Sequence, residues 1–270
     1  MIVSETAPSA GATASPPPAT SLAPHMSTLA DWPAQLWDRV AAAQDPVGWQ
    51  VSLLLAAVVL AVIWSPGGYR LVRHLVTLVH EAGHAVVAAL AGRRLQGVRL
   101  HADTSGLTVS RGRADGPGMI ATLCAGYPAP AVAGAAGAML LGAGHAAAVL
   151  WILVITSALM LLLVRNLYGL WVVLLLGATV GALSWWATGP VLSAAAQLVV
   201  WSLLLAAPRA VVELQRQRRR TRGGDSDADQ LARLTRTPAA LWVGLFWLVC
   251  VAALALGGWQ LLDGAPWPWG

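Results

Sequence analysis

Apolar residues in this chain arrive in blocks of about twenty, the length that carries an α-helix across a bilayer's hydrocarbon layer. Seven such blocks are legible: 48–65, 71–91, 117–141, 145–164, 167–187, 190–208 and 239–259. With 57% apolar residues and a mean hydropathy of +0.64, the composition excludes an ordinary soluble domain. The fold class that follows is an all-α polytopic membrane protein with about seven transmembrane helices. The third block is rich in Gly, Ala and Pro, which suits close packing inside a bundle. Pro128 and Pro130 are expected to break or kink it.

The remaining segments divide the chain. Residues 1–27 read as a disordered tail, because they are Pro/Ala/Ser/Thr-rich and hold no apolar core. They lack the basic start and apolar stretch of a signal peptide, and both Met1 and Met26 are available as the start. Residues 28–47 read as an interfacial amphipathic helix anchored by Trp32 and Trp37. The membrane domain occupies 48–260 and a C-terminal tail 261–270. After the second block, residues 95–112 place β-type residues on both sides of "DTSG", which predicts a small β-hairpin. Residues 209–237 form a basic, then acidic, connection in which Asp225 or Ser226 caps a short helix.

The formal charge is +5, and every base is an arginine lying mostly between hydrophobic blocks. That distribution sets membrane orientation and gives no reason to invoke nucleic acid. Arginines crowd residues 92–116, the connection at 165 and 209–237, whereas 142–145 and 187–190 have none. With seven spans, the N-terminus is then cytoplasmic and the C-terminus outside the cell membrane. Arg70 and Arg73, in the first connection, are the exception. The two cysteines, Cys124 and Cys250, both fall in predicted helices, which argues against a disulfide framework or a thiolate metal site.

One apolar block breaks its own rule. "TLVHEAGHAVVAAL", residues 77–90, carries His80, Glu81 and His84. Ionisable groups in mid-membrane cost about 2.5–3.5 kcal/mol each on insertion scales, so their presence there points to function. Residues four apart share a helix face. His80 and His84 can therefore hold one zinc ion, with Glu81 adjacent as general base, the H-E-x-x-H arrangement of metalloproteases. Buried polar residues that bond between helices are the plainer reading of the same three side chains.

"HEAGHA" at 80–85, "HADTSGLTVSRG" at 101–112, "RNLYG" at 165–169 and "DSDADQLARLT" at 225–235 together resemble the site-2 protease family of intramembrane zinc metallopeptidases. The likeness is to a small bacterial branch of that family and spans most of residues 50–258. It implies a Zn2+ cofactor, a membrane-protein or peptide substrate met in the lipid bilayer, His80 and His84 as metal ligands and Glu81 as catalytic base. The family supplies a third ligand from an aspartate. Asp227 is the first candidate, with Glu213 and the literal "LDG" residue Asp263 as alternatives. The hairpin is a place where an unwound substrate strand can be added. Two rival readings are a non-proteolytic scaffold that keeps the motif and a transporter that uses the same groups as an ion or proton relay.

Overall fold

Ser65 ends one helix and starts the next. In the computed structural model, which describes residues 32–221 and 224–263, helix α1 spans Trp32–Ala41, α2 Trp49–Trp64 and α3 Pro66–Leu90. The Ser65 amide closes the last turn of α2, and its hydroxyl accepts from the Gly68 amide at 3.1 Å as the N-cap of α3. Pro66, with its fixed φ and missing N–H, takes the first position of α3. The two helices meet at 107°.

A charged cluster holds this bend. Arg209 donates to the Ile63 carbonyl, which the break has left without a helical partner. Its guanidinium lies 3.8 Å from the centroid of the Tyr69 ring and 3.8 Å from Glu213. Arg73 pairs with the same glutamate.

After α3 come strand β1 (Arg94–Leu100), strand β2 (Gly106–Arg111) and helices α4 (Pro117–Ala125), α5 (Pro128–Gly142), α6 (Ala146–Leu163), α7 (Leu167–Trp186), α8 (Gly189–Thr221), α9 (Asp227–Thr235) and α10 (Ala239–Asp263). The strands form the expected antiparallel hairpin, and the expected proline break divides the third block into α4 and α5 at 62°. Helix α5 is the central packing unit. Gly134 lies against Leu204 and Gly137 against Val200, so small residues let α8 approach closely. The outward faces remain apolar: Leu162 is 69% exposed, Trp171 59% and Leu248 60%. A surface of this kind belongs against lipid, and the chain is a multi-pass membrane protein.

The span count differs from the seven expected. Four helices (α6, α7, α8 and α10) are long and apolar enough to cross a bilayer, and six spans result if each bent pair is counted as one. The difference arises at Ser65, because an apolar block reports its length and not its direction. The stretch from residue 209 is also helical, continuing α8 to Thr221.

The segment that follows α1 packs against the end of the bundle where α5 gives way to α6. Gln44 donates its amide to the Gly144 carbonyl at 2.8 Å, and Arg39 donates to the Trp185 carbonyl at 2.7 Å. Gln44 and Asp45 also share a small cavity with Gln260 and Leu261. The segment after α1 thus sits at the same end of the bundle as the close of α10, away from the arginine-rich end. The expected tail 1–27, the first four residues of the expected interfacial helix (28–31) and residues 264–270 of the expected C-terminal tail lie outside the described residues.

The hairpin is fastened to the bundle by one side chain. Asn166 accepts from the Leu100 amide (3.2 Å) and donates to the Leu100 carbonyl (2.6 Å). The adjacent Arg165 amide donates to the Val98 carbonyl at 2.9 Å. Residues 164–166 thereby occupy the outer edge of β1. Removing Asn166 leaves two backbone groups of a buried residue unpartnered. Asn166→Ala is expected to lower stability by about 1–3 kcal/mol and to expose the 101–105 turn. Limited proteolysis in detergent, read by where the first cut falls, checks this.

Candidate metal centre

Helical geometry places His80 and His84 one turn apart on one face of α3, and their Nε2 atoms are 3.1 Å apart. The His84 Nδ1 lies 2.7 Å from the Thr122 carbonyl. A carbonyl only accepts, so Nδ1 carries the proton and Nε2 keeps its lone pair. The His80 ring meets the Tyr127 ring edge-on at 4.7 Å, and Tyr127 stacks on Phe246 at 5.5 Å. Both imidazoles are therefore fixed in orientation by contacts behind them.

Asp227 comes from the opposite side, on the first turn of α9. Its Oδ2 is 3.4 Å from the His80 Nε2 and 3.2 Å from the His84 Nε2. Three acids lie close together in sequence here, and the fold gives each a different task. Asp225 is exposed and pairs with Arg233. Asp229 accepts from two nitrogens of Arg218, at 2.8 and 2.7 Å, and from the Ser226 hydroxyl at 2.5 Å. Ser226 in turn caps α9 by accepting from the Asp229 amide. Two positions apart on a helix face nearly opposite ways, so fixing Asp229 on Arg218 turns Asp227 toward the histidines. Ala228 and Leu231, both fully buried, seat the helix against Leu123, Val211 and Phe246.

The three donor atoms suit a small tetrahedral cation. Zinc bonds of about 2.0–2.1 Å to nitrogen and oxygen separate neighbouring ligand atoms by roughly 3.3 Å. The observed separations are 3.1, 3.2 and 3.4 Å. Among the described residues, His80, His84 and Asp227 are the group of His, Cys, Asp and Glu whose ligand atoms converge in this way.

Glu81 is 2% exposed. The Thr108 hydroxyl of β2 donates to its Oε2 at 2.6 Å, and Gly106 lies directly against its carboxylate. Any Cβ at Gly106 overlaps Glu81, and any Cβ at Gly126 overlaps the rings of His84 and His80. Glycine is required at both positions by close approach. Along β2 the small or polar residues Gly106, Thr108 and Ser110 are partly covered, while Leu107, Val109 and Arg111 point outward. Thr77 ties the other end of the hairpin to α3 by donating to the Thr104 carbonyl at 2.8 Å.

The other candidates lie elsewhere. Glu213 is taken up by Arg73 and Arg209 at the α2–α3 bend. Asp263 is exposed at the end of α10, the end of the bundle away from α9. His74 bonds the Tyr168 hydroxyl at 2.7 Å, His101 lies beside Ser105 on the exposed turn, and His145 precedes α6 without a side-chain cap bond. Thr108, Gly106, Gly126 and the Thr122 carbonyl were not singled out from sequence. The alternation along β2 and the Gly-Tyr-Pro break after α4 are the signals that point to them.

Phe246, which stacks behind Tyr127, is the eighth residue of α10, about 10 Å from that helix's start. The cluster therefore sits nearer the start of α10 than its middle, at the arginine-rich end of the bundle.

A comparison with protein families matches residues 53–257 to the model described as Peptidase M50B-like. Comparison with curated proteins and with solved structures gave no match. The matched region contains both histidines, Glu81, the hairpin, α9 and most of α10. The chain belongs to the Peptidase M50B-like family.

Proposed function

We propose that this protein is an intramembrane zinc metalloendopeptidase of the site-2 protease type, acting on membrane-protein or peptide substrates. One observation carries the reading: two imidazole nitrogens and a carboxylate oxygen converge beside a buried glutamate, within an apolar bundle of a peptidase family. His80, His84 and Asp227 would hold the metal. Bound there, zinc supplies a Lewis acid that lowers the pKa of a water to about 7 and polarises the scissile carbonyl.

The remaining work falls to the chain's own residues. Thr108 donates to Oε2 of Glu81 and orients the carboxylate, leaving Oε1 to take a proton from the attacking water. Glu81 then returns that proton to the leaving amine nitrogen. Thr122 keeps the His84 proton on Nδ1. The complete Glu81–Thr108 pair favours hydrolysis over a scaffold that merely keeps the motif.

The hairpin offers a way to present an opened substrate. Leu100 directs its backbone groups away from β2, toward Asn166. By antiparallel alternation its register partner Gly106, and Thr108 two residues on, direct theirs away from β1. A substrate segment paired along that edge lies beside Glu81. By the positive-inside rule, the arginine-rich end of α8 faces the cytoplasm.

Two outcomes test the reading. Purified protein is expected to hold about one zinc per chain by mass spectrometry, and Asp227→Ala to lose it, while Glu213→Gln and Asp263→Asn keep it. Zinc retained by Asp227→Ala, or absent from wild type after zinc is supplied, overturns the ligand set. Glu81→Gln is expected to keep the metal but slow cleavage of a transmembrane peptide by about 10²–10⁴-fold. Equal rates for Glu81→Gln and wild type overturn its role as the base.

A further inference from the structure

A second cavity lies on the other side of α9's packing partners. It has a volume of about 410 Å³ and runs between the last turns of α8 and the first turns of α10. Its α8 wall includes Val212, Arg216 and Arg219, and its α10 wall includes Ala240, Gly244 and Trp247. The spacing on each helix is that of a single face.

The groove is graded along its length. Arg216 and Arg219 stand at the end away from the bilayer centre, both exposed. Neither has an ion-pair or hydrogen-bond partner among the described residues, although Arg218 between them is fully used by Asp229 and Gln215. The other end is apolar: Val212 is 36% exposed and Trp247 45%. At Gly244 a side chain meets nothing within 4 Å, so that wall opens onto free space. Helix α8 is 33 residues long, about 50 Å, so its last turns extend past the hydrocarbon layer into the headgroup region. Two unpaired cations at headgroup level above an apolar trough complement an anionic amphiphile. A soluble anion leaves the trough unfilled, and a zwitterionic lipid leaves the charge unmatched.

We propose that this groove is a binding site for one anionic phospholipid. The phosphate lies between Arg216 and Arg219, and an acyl chain runs past Gly244 onto Trp247. The site is separate from the histidine cluster and does not rest on the peptidase reading.

The test is native mass spectrometry of the full chain released from detergent micelles containing equal amounts of phosphatidylglycerol and phosphatidylcholine. Wild type is expected to retain one phosphatidylglycerol per chain in preference to phosphatidylcholine. Arg216→Gln/Arg219→Gln is expected to weaken retention about thirtyfold. Gly244→Leu fills the trough without touching the charges and is expected to weaken it as well. Arg220→Gln, outside the groove, keeps retention at the wild-type level. Equal retention of the two lipids, or retention unchanged in both groove variants, overturns the site. Displacement of the lipid by inorganic phosphate with no effect of Gly244→Leu overturns the lipid in favour of a free anion. Unchanged elution on size exclusion confirms that the variants are folded.

Discussion

Arg218 donates to one oxygen of Asp229 from two nitrogens, and Ser226 satisfies the other oxygen. Much of the arrangement around the histidines depends on this. A carboxylate carried into a bundle of apolar helices is costly unless its lone pairs are met. The pair joins the last turns of α8 to the first turn of α9, so a segment that composition marks as a solvated connection packs as part of the core. Once Asp229 is fixed, the helical repeat leaves Asp227 facing the imidazoles. The same economy governs Arg209 at the α2–α3 bend. There one guanidinium meets a freed carbonyl, an aromatic face and a carboxylate, and it allows two helices to meet at a steep angle within the apolar region.

Much of this was legible in the sequence, and the limits have physical causes. The spacing of His80 and His84 gives a shared face because the helical repeat is local and needs no partner. The "DTSG" turn, the proline break and the Ser226 cap are likewise local signals, and each is found where it was expected. The bend at Ser65 was not read. "SPGG" suits a loop between two spans as well as a bend within one, and hydropathy carries no direction. The number of spans follows from that one ambiguity. Thr108 escaped notice because its partner, Glu81, is far away in sequence, and a threonine on a hairpin is ordinary until its neighbour is known.

Strand β2 inverts the pattern of a strand in a water-soluble protein. Its leucine and valine point outward and its small and polar residues point inward. In water that pattern would place the strand the other way round. Here the outer face carries Leu107, Val109 and Arg111 exposed, and the inner face must accommodate a carboxylate and leave room for it. Gly106 supplies the room and Thr108 the hydrogen bond. Asn166 and Arg165 fix the strand's partner from behind, so the hairpin is a rigid wall of the cluster and not a loop draped over it.

The three converging donors come from two segments more than a hundred residues apart in the chain, α3 and α9. An ion gripped by both acts as a cross-link between them, and by linkage its affinity adds to the free energy that holds α9 in place. Removing such an ion would withdraw a fastening from α9 and leave the Arg218–Asp229 pair and the buried Ala228 and Leu231 to keep that helix docked.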